Sequence, residues 1–341
     1  MADAIGVGPG ERFELELDLT NRTYGVNAKK QGPLLDEKFE ALVSWRLSGR
    51  VGWEKIQGCA MVETLQEAML AWMRDRSEHV SRDVLGYVKP IYGTDESANP
   101  VPMAIGTCVL IERGDDKYLV TAAHVADHER QTSLHVGAAD TLIALPKGFN
   151  CTVPPDGDRG KDHLDFAFIR LDAMVLEQMA GAEFLGADQI SDNSSDPTKR
   201  SYLAMGYPIS LNKKVHAADL SVLSKAWQYQ SIGVEPDAVT LSTLKCDLQQ
   251  NLFLRIDKKV GNYHGQIVDL GEPRGASGGA LIDLGMPTLE SFDPKFPKVG
   301  KLAGIFIERK KKEKLLVFVN IQLVLYAIDR SRAKGGDVVN L

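Results

Sequence analysis

Residues 271–281 have the sequence Gly-Glu-Pro-Arg-Gly-Ala-Ser-Gly-Gly-Ala-Leu. The serine of this stretch, Ser277, lies among glycines, after a proline and before an apolar run. Because glycine has no Cβ, Gly275 and its neighbours allow positive φ angles and close approach of a substrate. The same turn can direct the backbone N–H groups of Gly275 and Ser277 to one point, which a developing oxyanion requires. The stretch therefore favours a nucleophilic serine on a tight loop, although Ser and Gly also cluster in ordinary loops.

A histidine and an aspartate elsewhere in the chain complete the set that a serine nucleophile needs. A predicted strand ending in Thr-Ala-Ala is followed directly by His124. Residues 163–171 place Asp165 at the start of an apolar strand, where a carboxylate needs a partner to offset its desolvation. A serine hydroxyl requires a base, and the base requires a third group that fixes its tautomer. We therefore predict His124, Asp165 and Ser277 as a catalytic triad, with Asp162 as a competing candidate for the acid.

The composition is that of a globular protein. The chain has 341 residues, of which 44% are hydrophobic and 25% charged, and this length suits about two domains. The net charge of -6 argues against a nucleic-acid partner, which requires a basic surface. The run Arg309–Lys312 is predicted to be the solvated tip of a hairpin between two strands.

The sequence shows no signal for secretion, membrane insertion or metal binding. The N-terminus has no basic segment followed by an apolar one, and no apolar run approaches the ~20 residues of a membrane span. Four scattered cysteines without a C-x-x-C pair predict neither a zinc site nor a disulfide framework. We therefore expect a cytoplasmic protein with no membrane partner, no metal and no other cofactor.

The first part of the chain has a mixed pattern. Residues 11–19 alternate between apolar and charged, which predicts a strand. Apolar residues at three-to-four spacing predict a helix over 60–78, and a shorter helix is predicted over 36–48. A polar stretch with a proline then places a boundary near residue 97, so residues 1–97 are predicted to be an α+β extension.

Residues 98–341 have the pattern of a mainly β domain. Short apolar segments alternate with clusters of Gly, Pro, Asn and Asp, as in all-β barrels and sandwiches. Two helices interrupt them, over 173–180 and 321–330. The predicted strands are 104–112, 117–122, 141–145, 166–171, 202–205, 239–244, 252–256, 280–282, 302–307 and 315–319.

The motifs around His124, Asp165 and Ser277 resemble those of chymotrypsin-fold, trypsin-like serine proteases, in that family's chain order. The sequence Ser-Gly-Gly-Ala-Leu and the upstream Gly-Tyr-Pro are closer in style to bacterial members, such as the high-temperature-requirement proteases, than to digestive trypsins. The resemblance covers residues 103–330 and implies two six-stranded antiparallel β-barrels with a closing C-terminal helix. A PDZ domain is not expected, because the sequence ends shortly after that helix.

The resemblance also implies a role for each matching residue. Ser277 is the nucleophile, His124 is the general base and then the acid, and Asp165 orients the imidazole. The N–H groups of Gly275 and Ser277 form the oxyanion hole. Further residues are expected to line a neutral pocket for small or medium apolar side chains: Gly271, Ala303, Gly304 and Ile305.

Two residues depart from the trypsin pattern. Val125 stands where secreted trypsins have a cysteine, so Cys108 is expected to be a free thiol in the core. Ala276 stands where trypsins have the aspartate that pairs with the new N-terminus after zymogen cleavage, so activation by that ion pair is not expected. We expect the loop to be ordered by its own packing, by the extension or by a partner.

The sequence as a whole favours a bacterial serine endopeptidase that cleaves protein or peptide substrates through an acyl-enzyme. Two alternatives stay open. One is a protease-fold binding module whose site is inactive or is activated by a partner, and the other is an acyl esterase on the same fold. A regulatory partner would act through residues 1–97.

Overall fold

The computed structural model describes residues 65–94, 102–138, 141–212, 224–257, 259–261, 267–269, 272–293 and 295–333. The strand predicted over 11–19, the helix predicted over 36–48 and the pocket residue Gly271 lie outside this part of the chain. The chain divides into two units, Met1–Trp72 and Met73–Leu341. Of the first unit the structure describes residues 65–72, which begin helix α1 (Leu65–Tyr87).

The first half of the second unit forms an antiparallel sheet, sheet A. Its strands are β1 (Val88–Thr94), β2 (Pro102–Arg113), β3 (Asp116–Ala122), β4 (His135–Ala138), β5 (Thr141–Ala144), β6 (Asn150–Cys151) and β7 (Phe166–Arg170). They are arranged in the order β5-β4-β1-β2-β3-β7-β6. Strand β1 is internal and pairs with β2 on one side and β4 on the other. Sheet A therefore includes residues on both sides of the position near 97 where the sequence suggested a boundary.

The second half forms another antiparallel sheet, sheet B. Its strands are β8 (Ser201–Gly206), β9 (Trp227–Ile232), β10 (Asn251–Arg255), β13 (Ala280–Gly285), β14 (Lys301–Lys310) and β15 (Leu315–Asn320). Their order is β10-β15-β14-β13-β8-β9, and a separate two-stranded ribbon contains β11 (Lys259–Gly261) and β12 (Ile267–Asp269). The Ser277 loop leads directly into β13, a central strand of this sheet.

Within the residues that the structure describes, four α-helices follow α1: α2 (Ala123–Ala126), α3 (Ala173–Gln178), α4 (Ala238–Leu244) and α5 (Ile321–Ala333). Helices α3 and α5 confirm the two that the sequence predicts in this region. The strand predicted over 239–244 is wrong, because these residues form α4. Asp237 caps this helix by accepting the Thr240 N–H at 2.7 Å, and the cap outweighs the strand preference of the β-branched residues on this exposed segment.

The described part of the chain is mainly β, with two large antiparallel sheets, a two-stranded ribbon and a C-terminal helix. Sheet A has seven strands rather than the expected six, and sheet B has six. One core cluster includes Leu110 of β2, Leu119 of β3, Ile282 of β13, Ile305 of β14 and Val324 of α5, all fully buried. The two sheets and α5 therefore share a core, which fixes the loops of one sheet against the other.

Smaller features agree with the sequence. Residues 311–314 form the turn between β14 and β15, so Lys311 and Lys312 lie at the predicted hairpin tip, whereas Arg309 and Lys310 are the last residues of β14. Cys108 is buried and free. Of the helices that the structure describes, none combines the length and apolarity that crossing a membrane requires.

Candidate active site

His124 and Asp165 form a close hydrogen-bonded pair at one end of sheet A. The Nδ1–H of His124 donates to Asp165 Oδ2 at 2.6 Å, and the backbone N–H of His124 donates to Oδ1 at 2.9 Å. An ionised carboxylate only accepts hydrogen bonds, so the imidazole proton lies on Nδ1 and Nε2 is left as the basic nitrogen. The Asp165 side chain is 6% exposed, whereas that of His124 is 38% exposed. The pair therefore presents one basic nitrogen toward solvent.

The backbone of Asp165 is held in an unusual conformation. Its φ angle is +35°, in the left-handed region that non-glycine residues seldom adopt. Asp162 Oδ1 accepts the N–H groups of Leu164 and Asp165 at 3.1 and 2.9 Å, and the Asp165 carbonyl accepts the Ala123 N–H at 3.0 Å. Strain of this kind persists only where the surroundings enforce it. The structure thus places Asp165 in contact with His124, while Asp162 holds the turn that contains Asp165.

The surroundings shift the pKa values of both His124 and Asp165. Burial alone disfavours the charged imidazole, but the hydrogen bond and charge of Asp165, together with the charge of Glu308, outweigh it and raise the pKa of His124. Burial raises the pKa of Asp165, while its bonds to His124 act in the opposite direction. The imidazolium that forms when His124 accepts a proton is therefore stabilised.

Arg159 connects the two segments that carry the pair. Its Nε donates to Asp127 Oδ2 at 2.9 Å, and its Nη1 donates to Asp162 Oδ2. Asp127 lies one turn after His124, and Asp162 caps the turn that contains Asp165. Thr152 also donates its hydroxyl to Asp162. This network fixes the histidine turn relative to the aspartate turn.

The loop that contains Ser277 is built on two glycines with positive φ, Gly275 at +93° and Gly278 at +84°. A Cβ on Gly278 would overlap the Thr107 carbonyl oxygen and the Thr121 hydroxyl, so only glycine fits there. The same position brings Gly278 close to Ala122, two residues before His124. The serine loop therefore packs directly on the strand that delivers the histidine.

The N–H groups of this loop separate into two kinds. Three of them donate to backbone carbonyls: Ala276 to Pro273 at 2.8 Å, Gly278 to Phe306 at 2.7 Å, and Gly279 to Ala276 at 2.9 Å. The N–H groups of Gly275 and Ser277 have no acceptor among the residues that the structure describes. Buried amides without a partner are rare in proteins. The two N–H groups without an acceptor, those of Gly275 and Ser277, are the groups that the sequence assigns to the oxyanion hole.

The orientation of the Gly275 N–H follows from its peptide group. The Arg274 carbonyl accepts the Ile209 N–H at 2.8 Å. In a trans peptide the C=O and the following N–H point in opposite directions, and the described residues contain no cis peptide bond. The Gly275 N–H therefore points away from Ile209.

The Ser277 hydroxyl donates to the carbonyl of Ile307 on β14 at 2.9 Å. A hydroxyl has one proton, so Ser277 must rotate to donate to His124. The structure thus brings His124 and Asp165 into direct contact, and places the serine hydroxyl against β14.

The predicted pocket residues Ala303, Gly304 and Ile305 also lie on β14. Ala303 and Ile305 are fully buried, and Ile305 is paired with Ala280 on one side and Val319 on the other. The β14 residues that contact the serine loop follow them: the Phe306 N–H donates to Gly279 and the Ile307 carbonyl accepts from Ser277. The predicted strand 302–307 includes Phe306 and Ile307, but the sequence assigns neither residue a role in the site.

Two other residues of the site were missed from the sequence. Arg159 lies in a polar loop with no distinguishing motif, and Thr107 lies within an apolar strand. Only the fold places Arg159 between two aspartates and Thr107 beside the serine loop. For Thr107 the one available signal was a hydroxyl residue on a strand that is otherwise apolar at buried positions.

Comparisons with known proteins identify no family for this chain. No protein-family model matches the chain, and no curated protein matches it. One similar solved structure is the serine endoprotease from Yersinia pestis, with 16% identity and a TM-score of 0.41, covering 77% of this chain and 67% of that one.

Another similar structure comes from a study of the intrinsically disordered VPg protein of Sesbania mosaic virus, whose folding is coupled to binding. It has 13% identity and a TM-score of 0.38, and the match covers 69% of this chain and 87% of that one. Identities at this level carry no information on activity.

Proposed function

We propose that this protein is a serine endopeptidase with His124, Asp165 and Ser277 as its triad. The observation that carries the proposal is the carboxylate-bound imidazole of His124 next to a glycine loop whose Gly275 and Ser277 amides have no acceptor among the described residues. A nucleophile, an oriented base and two aimed donors are the parts that acyl transfer needs.

In the proposed reaction, the Ser277 hydroxyl turns from Ile307 to His124 Nε2 and gives up its proton as its oxygen attacks the substrate carbonyl. The Gly275 and Ser277 amides stabilise the oxyanion. The imidazolium, stabilised by Asp165, then donates the proton to the leaving amine, which departs and leaves an acyl-enzyme. A water molecule, deprotonated by His124, hydrolyses the ester and restores the serine.

The proposed substrate is a protein or peptide bound along β14. The side chain of its residue at the cleaved position enters a neutral pocket formed by Gly271, Ala303, Gly304 and Ile305. A regulatory partner acting through residues 1–97 and a cytoplasmic location complete the proposal. A profile of cleavage over a peptide library tests the pocket preference. Preference for a charged residue at the cleaved position would contradict a neutral pocket.

The direct test is labelling with a fluorophosphonate probe, which reacts with activated serines. We expect the wild-type protein to be labelled and Ser277→Ala to be unlabelled with an unchanged melting temperature. Undiminished labelling of Ser277→Ala would rule out the assignment. Comparing matched peptide and ester substrates separates an endopeptidase from an acyl esterase.

The bond from Ser277 to the Ile307 carbonyl favours a second candidate, a protease-fold binding module that a partner activates. In such a module the hydroxyl stays on β14 until a ligand shifts it. Absence of labelling in the isolated protein, with labelling restored by a bound partner, would favour this candidate over a constitutive protease.

A further inference from the structure

Ala276 cannot hold the serine loop in place through its own side chain. It lies between the Gly275 and Ser277 amides, for which the described residues offer no acceptor. It is 1% exposed, and its methyl group packs in the core of sheet B. A methyl group forms neither an ion pair nor a hydrogen bond. Any side-chain polar contact that orders the loop must therefore come from other residues.

Thr107 on β2 supplies several of these contacts. Its hydroxyl donates to the Gly275 carbonyl at 2.9 Å, and its N–H donates to the Ser277 carbonyl at 2.8 Å. Thr107 is fully buried. This one residue of sheet A thus holds the carbonyls on both sides of Ala276.

The direction of the Thr107 hydroxyl is itself fixed. The Tyr207 N–H donates to Thr107 Oγ1 at 2.9 Å. Because this bond occupies a lone pair, the single hydroxyl proton remains for the Gly275 carbonyl. The Thr107 carbonyl accepts the Thr121 hydroxyl at 2.7 Å, so its polar groups are all bonded.

The position of the Gly275 carbonyl determines where the neighbouring donors point. Glycine rotates freely about both of its backbone bonds, so without a restraint the peptide between Gly275 and Ala276 could turn. That rotation would shift the Gly275 N–H and the following backbone up to Ser277. An oxyanion donor acts only when it is already aimed at the developing charge.

We propose that Thr107 is a positioning residue, whose hydroxyl holds the Gly275 peptide so that the Gly275 and Ser277 amides converge on the reacting oxygen. The role rests on the proposed function, since Ser277 is the reacting residue. On this basis, loop order comes from a buried contact between the two sheets and needs no cleavage of the chain.

The test compares Thr107→Val, which removes the hydroxyl at nearly constant shape, with Thr107→Ser, which keeps it. We expect Thr107→Val to lower kcat and the rate of fluorophosphonate labelling about 100-fold with little change in KM, as for a small misplacement of catalytic groups. Thr107→Ser should retain labelling within about threefold. If Thr107→Val does not fold, Thr107→Ala removes the same hydroxyl without adding a methyl group beside the Tyr207 N–H.

Ser201→Ala is the matched control, because Ser201 is also a buried hydroxyl residue, on β8, and its Oγ accepts from Gln230 Nε2 of β9 at 2.9 Å rather than bonding the serine loop. It should lose some stability with this buried bond and keep the labelling rate within about threefold. Wild-type labelling of Thr107→Val, or an equal loss in Ser201→Ala, would overturn the role of Thr107.

Amide hydrogen exchange over residues 272–279 separates this inference from the proposed function. Thr107→Val should speed exchange of the Ala276 and Gly278 amides, and Ser201→Ala should not, whether or not the protein labels. If the wild-type protein is not labelled, the proposed function fails, and faster exchange still supports loop positioning. Unchanged exchange in Thr107→Val overturns it.

Discussion

Both oxygens of the Asp165 carboxylate are bonded to His124, one to the ring Nδ1–H at 2.6 Å and the other to the backbone N–H at 2.9 Å. The two bonds fix the ring and the helical turn that carries it. The carboxylate therefore sets the tautomer, the charge and the position of the imidazole together.

Replacing the carboxylate tests this arrangement. In Asp165→Asn the amide can present its NH₂ to Nδ1, which favours the wrong tautomer and protonates Nε2. We expect roughly a 10³-fold fall in the rate of fluorophosphonate labelling, with the fold retained. Asp237→Asn, at the exposed cap of α4, is the control and should label normally. Full labelling of Asp165→Asn would show that another residue orients His124.

The Arg159 network predicts a difference between two arginines that share a partner. Arg159 is 19% exposed and joins Asp127 to Asp162, whereas Arg130 is 82% exposed and reaches Asp127 at 3.7 Å. Arg159→Gln leaves the buried carboxylate of Asp162 without its charged partner, so we expect a loss of about 3 kcal/mol in the free energy of unfolding.

Arg130→Gln should change the unfolding free energy by less than about 0.5 kcal/mol, because exposed pairs contribute little. Urea denaturation measures both variants. Labelling should also be slower in Arg159→Gln, because the turns of His124 and Asp165 lose their connection. Equal stability of the two variants would show that the network is not structural.

Much of the fold could be predicted because apolar periodicity is a local property. Strands such as β3, β7 and β15 are short apolar runs bounded by turn residues, and their predicted limits agree with the observed ones within a residue. Strand β1 was missed because its Val-Lys-Pro-Ile-Tyr-Gly-Thr sequence has a proline and no clean alternation. Its strand conformation depends on pairing with β2 and β4, which only the fold supplies.

The candidate site likewise contains residues that the local sequence marks and residues that only the fold brings there. His124, Asp165 and Ser277 are each marked by local chemistry, namely a histidine after a small-residue strand, an aspartate before an apolar strand, and a serine among glycines. Thr107 acts through contacts to the distant serine loop, and Arg159 joins its neighbour Asp162 to the more distant Asp127, so no local pattern marks either residue. Where β14 contacts the serine loop depends on strand register, which a one-residue change would alter.

The charge of Glu308 predicts a pH effect. This carboxylate helps to raise the pKa of His124 by stabilising the imidazolium. In the proposed reaction His124 is the base and must be neutral, so labelling should fall as the pH drops through the His124 pKa. Glu308→Gln removes a negative charge, lowers that pKa and should move the acid limb of the labelling profile to lower pH. Exposed Glu290→Gln is the control, and an unchanged limb in Glu308→Gln would contradict the coupling.

The glycines of the described chain offer a matched pair of substitutions. Gly278 and Gly285 have φ angles of +84° and +91°, but a Cβ would overlap the Thr107 carbonyl at Gly278 and meet nothing within 4 Å at Gly285. Gly285→Ala should cost about 1 kcal/mol from backbone strain alone. Gly278→Ala should cost at least about 3 kcal/mol, since it adds an overlap to the same strain, and should abolish labelling. Similar melting temperatures for the two variants would disprove the close approach.

The internal position of β1 in sheet A predicts that removing the first 97 residues prevents folding. A chain that begins at residue 98 lacks β1, whose buried Val88, Ile91 and Tyr92 fill the middle of sheet A. Its removal exposes apolar surface and leaves the edges of β2 and β4 unpaired. We expect this variant to show no cooperative thermal unfolding.

A chain that begins at residue 65 keeps α1 and β1 and should unfold cooperatively. Calorimetry of both truncated chains, with fluorophosphonate labelling, makes the comparison. If the shorter chain unfolds at the temperature of the longer one, β1 is dispensable and the boundary near residue 97 marks an independent domain. If only the longer chain folds and is labelled, the folded unit requires residues within 65–97 and its start lies before the boundary near residue 97.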